Sequence, residues 1–198
     1  MNASLRGTGR LVWAGLRALL VLTVVCGVLY PLAVTGVAQA AFHDKANGSP
    51  VEVAGKEVGS ALIGQKWTGR QWFHGRPSQS GYDPRATGSS QLGADDPRLA
   101  KSVREARERI AAYNGVPASA VPPDAVTGSA SAIDPHISPA YARLQTARVA
   151  RANRLSEGTV RKLVEDHIEG RTAGILGEPH VNVLQLNAAL RAETAKSR

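Results

Sequence analysis

The side chains that could carry reactive chemistry are few: five histidines, one cysteine, and some groupings of Ser, Asp and His. His43, His74, His136, His167 and His180 are scattered without the close spacing of metal ligands, so no metal site is predicted. Ser131, Asp134 and His136 hold the residue types of a nucleophile, an orienting carboxylate and a base. Nothing frames such a triad, and Ser and Asp beside Pro135 suit turn and cap roles. Asp95-Asp96 could pair two carboxylates for acid–base work, but Asp before Pro97 reads as a helix start. No G-x-x-x-x-G-K-[ST] loop is present to cradle phosphates. No catalytic residue is predicted.

One local pattern points to a different function. Ala147 to Ala152, then Asn153-Arg154-Leu155-Ser156, then Thr159 to Leu163 has the form of two short basic helices joined by a tight turn. Such a pair can place its second helix in a DNA groove. The alternative function is therefore a membrane-tethered helix-turn-helix regulator. Against it, Glu157, Glu165, Asp166 and Glu169 would repel phosphates.

The elements around these residues begin with a membrane span. Ala18 to Phe42 is a run of 25 residues without a charge, and about 20 apolar residues cross a bilayer core. Ala38-Gln39-Ala40 has the form of a signal-peptide cleavage site, but the apolar run is longer than the ~7–15 residues of such signals. Val25 before Cys26 is too large for a lipoprotein signal. A buried helix of a soluble protein does not explain the uniform apolarity. The expected layout is a cytoplasmic N-terminus over 1–10, a transmembrane helix over 11–41 and one polar α+β domain over 42–198. Arg6, Arg10 and Arg17 precede the run and Lys45 follows it, which favours the N-terminus inside and the domain outside. Pro31 is expected to kink the helix, and Gly27 and Gly36 would let another helix approach.

Beyond the span the charge is mild. The three N-terminal arginines leave 21 of the 24 Lys+Arg against 16 Asp+Glu, a net of +5, which does not by itself indicate nucleic acid. Cys26 is the single cysteine, so no internal disulfide can form. Residues 50–59 read as a polar connection or short strand, and Gln71 to Gly75 as a strand ended by Pro77. Residues 78–95 read as a long loop of the kind that binds something. Asp96-Pro97 opens a helix ended by Asn114-Gly115, and residues 116–138 are irregular. Ser138-Pro139 opens a helix to about Asn153. Ser156 caps another, stopped by Gly170, and Asn182 with Gln185 opens the last.

Three stretches combine into a family pattern. They are Val126-Thr127-Gly128-Ser129-Ala130-Ser131-Ala132-Ile133-Asp134-Pro135-His136-Ile137-Ser138-Pro139, Gln145-Thr146-Ala147-Arg148-Val149-Ala150-Arg151, and Gly177-Glu178-Pro179-His180-Val181-Asn182-Val183-Leu184-Gln185-Leu186-Asn187. Gly59 to Gln65 and Phe73 to Ser78 add to them. In this order, after one membrane helix, they resemble the C subunit of the bacterial Kdp potassium-transporting P-type ATPases. Small departures are His180, Asn153-Arg154 and Ala188. Asp44-Lys45 begins like the phosphorylated motif of such pumps, but Ala46-Asn47-Gly48 does not continue it, so the chain is not the phosphorylated subunit. The resemblance implies a non-catalytic accessory subunit, a catalytic chaperone that raises the ATP affinity of the hydrolysing subunit. It implies as partners that subunit, the potassium-channel-like subunit and membrane lipid, with no nucleic acid, and ATP as the cofactor. It also makes Gln145 a candidate nucleotide contact, against the plainer role of a helix residue bonded to neighbouring backbone.

Overall fold

A computed structural model describes residues 2–197, with side chains from residue 7 onward. The chain divides into two compact units, Met1–Ser49 and Pro50–Arg198.

The first unit is helical. Helix α1 (Asn2–Val24), a π-helical turn (Val25–Leu29) and α2 (Tyr30–Ala41) follow without interruption, and α3 (His43–Ala46) is a single turn. Within them, Gly7–Ala41 is a 35-residue helix apolar enough to cross a membrane. At ~1.5 Å per residue it is about 52 Å long, well beyond the ~30 Å core of a bilayer. The wide turn explains how Pro31 is tolerated. Proline has no N–H, and its ring collides with the carbonyl four residues back. Just before it the ladder steps to five residues, with the Tyr30 N–H donating to the Val25 carbonyl. The expected effect of Pro31 is thus taken up by one expanded turn. Near the start of the apolar run, the Arg17 guanidinium lies over the Trp13 ring, 5.7 Å from its centre.

In the second unit, β1 (Pro50–Val53) and β2 (Lys56–Ser60) form an antiparallel hairpin. Ala54 and Gly55, both at positive φ, make its two-residue turn. There follow α4 (Pro97–Asn114), α5 (Pro123–Val126), β3 (His136–Ile137), α6 (Pro139–Asn153), α7 (Glu157–Asp166), β4 (Ile168–Glu169), β5 (His180–Asn182) and α8 (Val183–Lys196). The starts of the long helices match the sequence signals. Asp96 Oδ1 accepts from Arg98 N at 2.8 Å, Ser138 Oγ from Tyr141 N at 3.1 Å and Ser156 Oγ from Thr159 N at 3.0 Å. Asn182 Oδ1 accepts from both Leu184 N and Gln185 N, at 3.1 and 3.2 Å. Gly115 ends α4 at a φ of 71°, a left-handed position that suits glycine. Helix α7 ends earlier than Gly170 suggests: His167 closes it, and Ile168 enters a strand.

A three-stranded antiparallel sheet of order β3-β5-β4 carries the helices. Helix α7 packs on α6 and α8, and both of those meet β5. Phe73, Val149, Val160, Val164, Val181, Leu186 and Leu190 are fully buried between them. Each such side chain contributes roughly 1.5–3 kcal/mol by leaving water.

The strand expected at Gln71 to Gly75 does not form. Trp72 and Phe73 supply the apolar strand signature, but residues 70–72 turn, and among the described residues no strand pairs with the segment. The segment is fixed by side chains instead, and two glycines let the chain pass close by. A Cβ on Gly64 would lie 2.5 Å from the Asp134 carbonyl oxygen, and one on Gly75 would lie within 2.4 Å of the Tyr82 hydroxyl. That hydroxyl donates to the Arg76 carbonyl at 2.6 Å.

Candidate functional site

The candidate residue Gln145 sits on the buried face of α6 and is 1% exposed. Its Oε1 accepts from His74 N at 2.8 Å, and its Nε2 donates to His74 O at 3.0 Å. Asn187 on α8 does the same for the preceding residue. Its Oδ1 accepts from Phe73 N and its Nδ2 donates to Phe73 O, each at 2.9 Å. Two side-chain amides therefore copy the donor–acceptor pairing of a neighbouring strand. Because N–H groups must donate and carbonyls accept, the pairing also fixes which way each amide points.

Arg148, one turn after Gln145, completes the clamp. Its Nη1 donates to Trp72 O at 2.9 Å and also to Arg70 O. Its Nη2 donates to Gln145 Oε1 at 2.7 Å, and its Nε to Asn114 Oδ1 at 2.8 Å. Asn153 Nδ2 adds a bond to Gln71 O at 2.8 Å. Backbone groups of residues 70–74 are thus held by four side chains from two helices. Arg148 is as buried as Gln145, and its charge is met by carbonyl dipoles and by the Tyr113 ring, 5.0 Å from the guanidinium carbon. Burial pulls its pKa down to about 10, with Tyr113 and Tyr141 opposing, which leaves it charged at neutral pH. His74 stacks on the same Tyr113 ring at 5.4 Å, and its Nε2 lies 2.9 Å from Gly69 O. Burial lowers the His74 pKa, the Gly69 carbonyl opposes the shift, and the Arg148 charge adds to it.

This arrangement positions backbone; it has no nucleophile or base aimed at open space. The other residues singled out by sequence fall elsewhere. Ser131 Oγ accepts from Ile133 N at 3.2 Å and Asp134 Oδ1 from His136 N at 2.9 Å, so both serve turns. Asp134 also faces Arg76 at 3.4 Å, and Arg76 donates to the Thr127 and Gly128 carbonyls. Asp96 is the α4 cap, and its carboxylate is held below the ordinary range by hydrogen bonds from Arg98. A groove of roughly 570 Å³ runs beside α4, lined among others by Arg98, Ser102, Arg109, Thr127 and Ser129. Among the described residues, no three His, Cys, Asp or Glu side chains are arranged to hold a metal ion. The structure does bring His136 and His180 together, with ring centres 4.4 Å apart.

The α6–α7 pair with its tight turn is present, but most of its basic side chains are engaged or buried. Arg143 makes a two-pronged contact with Glu165 at 2.7 and 2.8 Å. Arg161 bonds Glu157 and Lys162 bonds Asp166, and Arg148 is buried. A DNA-binding role finds no support here.

Arg148 and Asn187 were not singled out by sequence reasoning. The available signal was polar residues on otherwise apolar helix faces: Gln145 and Arg148 share a face with Tyr141 and Val149, and Asn187 lies between Leu186 and Leu190. Such residues mark a buried, fully paired network.

Comparison with known proteins covers nearly all of this architecture. Residues 12–192 match the model of the family described as K+-transporting ATPase, c chain. A potassium-transporting ATPase KdpC subunit of Streptomyces avermitilis is 47% identical, with all of both chains covered. The namesake from Kineococcus radiotolerans is 49% identical over 97% of this chain and 98% of its own. That from Nitratidesulfovibrio vulgaris is 50% identical over 88% and 89%. With one apolar N-terminal helix, a mixed helix–strand domain and this similarity from end to end, the chain belongs to the KdpC family, the c chains of potassium-transporting ATPases.

Proposed function

We propose that this chain is the accessory, non-catalytic subunit of an ATP-driven potassium uptake pump and raises the ATP affinity of the hydrolysing subunit. The observation that carries this reading is the family match across both the span and the domain. Among the described residues one helix is of membrane length, which supports it as well: one span cannot enclose an ion path, so the chain serves other membrane subunits. Its partners in this reading are the channel-like subunit, the ATP-hydrolysing subunit and surrounding lipid. The N-terminus is cytoplasmic and the domain extracytoplasmic, following the arginines before the span.

ATP is not available on the outer side, so the effect on nucleotide affinity travels through the assembly. A coupling of ~1–3 kcal/mol changes an affinity roughly 5–150-fold without a shared site. A direct contact between Gln145 and ATP would have to replace its bonds to His74 and Arg148. In this reading Gln145 acts on the pump by holding residues 70–74.

The test is potassium-stimulated ATP hydrolysis by the reconstituted complex with and without this chain. The expected result is a higher KM for ATP without it, and no hydrolysis by the chain alone. An unchanged KM and rate would sink the reading. Labelling of Ser131→Cys, with Cys26 replaced, by an impermeant reagent in intact cells tests the topology. Protection until lysis would put the domain inside and revive direct ATP contact.

A further inference from the structure

We propose that the groove beside α4 is a docking site for an extended acidic segment of another subunit of the pump, with a carboxylate of that segment on Arg109. The proposal rests on reading this chain as an accessory subunit and names the surface through which its domain meets a partner.

Three stretches of chain build the groove. Helix α4 supplies Leu99, Ser102, Ala106 and Arg109, which recur every three or four residues and so share one helix face. The loop before α4 supplies Ser89, Ser90 and Leu92, and Val126 to Ser129 supply a third side. That third side is fastened from behind. Arg76 donates to the Thr127 and Gly128 carbonyls at 3.3 and 3.1 Å, and Thr127 Oγ1 donates to Pro123 O at 2.8 Å. A groove held in shape loses less freedom when it is filled. Its roughly 570 Å³ is of the size that takes a drug-sized molecule or a short piece of chain. Leu92, Leu99, Ala106 and Val126 offer aliphatic contact, and the serines offer hydroxyls to a peptide backbone.

Charge decides what fits. No Asp or Glu lines the groove. Arg98 at its edge is already held by Asp96 at 2.7 Å. The Arg109 side chain makes no hydrogen bond or ion pair among the described residues. Glu105, one turn before it, faces Lys101 at 3.9 Å instead. Helix α4 carries five basic side chains against two acidic ones. On α6 and α7, by contrast, Arg143, Arg161 and Lys162 each have a carboxylate partner. An open guanidinium beside hydroxyls takes a carboxylate in two-pronged fashion. A second copy of this chain is a poor occupant, because 21 Lys+Arg against 16 Asp+Glu beyond the span make two domains repel.

The test uses the full chain in the purified complex, with a photoreactive residue in place of Ser90 or Ser102, both exposed and on different sides of the groove. Both positions should cross-link to one stretch of another subunit, and peptide mapping should find Asp or Glu in that stretch. Arg109→Glu should lower the yield at least about fivefold. Arg107→Glu makes the same charge change on α4 outside the groove and should keep the yield within about twofold. No cross-link, a cross-link to lipid or to a second copy of this chain, or a mapped stretch without Asp or Glu overturns the proposal. So does an equal loss in the two variants, which would assign the effect to overall charge. The KM for ATP of the same preparations keeps the two readings apart. A KM that responds to this chain without any cross-link sinks the groove alone, and a cross-link with an indifferent KM sinks the effect on ATP affinity alone.

Discussion

Two regions of the domain, the β3-β5-β4 sheet and the irregular residues 70–74, satisfy their backbone polar groups by opposite means. In the sheet, backbone pairs with backbone, so the ladder is indifferent to most side chains. In residues 70–74, backbone pairs with the side chains of Gln145, Arg148, Asn153 and Asn187. The first arrangement needs only compatible strands. The second depends on particular residues on two helices, and each of them can be removed by one substitution. The contrast explains why the 141–151 and 177–187 stretches combine polar and apolar residues so closely: one set packs the core and the other grips a chain from far away in sequence.

The largest break in this contrast comes from Arg148. Arg148→Met removes the donor to the acceptors of Asn114, Arg70 and Trp72 and leaves Gln145 Oε1 with His74 N alone. It should cost roughly 3–5 kcal/mol of unfolding free energy in urea titration. A loss below about 1 kcal/mol would show that the clamp is not what holds the segment.

Asn187→Leu should follow at about 2–4 kcal/mol, because it strands one buried N–H and one buried carbonyl of Phe73. The sheet counterpart is Glu169→Thr, whose change should stay within about 0.5 kcal/mol since its ladder bonds are backbone. Equal effects in the two variants would erase the distinction.

A smaller effect is readable in pH. Burial lowers the His74 pKa, with the Gly69 carbonyl opposing and Arg148 assisting. Below about 6.5 the unfolded chain takes up a proton that the folded chain resists, so stability must fall as pH drops through that value. Tm measured from pH 7.5 downward should decline, and His74→Asn should show a shallower decline. Identical slopes would place the titrating group elsewhere.

The smallest expected effect is at Trp67. Its Nε1 is the buried side-chain nitrogen without a partner among the described residues, in a region otherwise fully paired. Trp67→Phe deletes that donor while keeping a ring against Trp72, which lies 5.1 Å away. The change in Tm should be near zero or upward, whereas a clear drop would assign the indole a packing role that outweighs its unmet bond.

Local chemistry made much of this molecule legible. The span is announced by its uncharged length, and the helix starts by Asp96-Pro97, Ser138-Pro139, Ser156 and Asn182. These signals act within a few residues, so no fold is needed to read them. Gln71 to Gly75 failed for the complementary reason. The aromatic pair Trp72-Phe73 reports a preference for extended, half-buried chain, but not whether a strand lies beside it. Gln145 stood out in the sequence, yet the His74 backbone that it pairs with lies 71 residues away.

The sequence by itself determined a membrane-length helix, a polar α+β domain after it, the starts of the long helices and, through its motifs, the family. Tertiary structure alone decided that Gln145, Arg148 and Asn187 grip residues 70–74, and that His136 and His180 stand together although 44 positions part them in the sequence. Helix caps and apolar runs draw on free energies earned within one or two turns of chain. Clamps and sheet faces draw on groups that become neighbours only when the core closes.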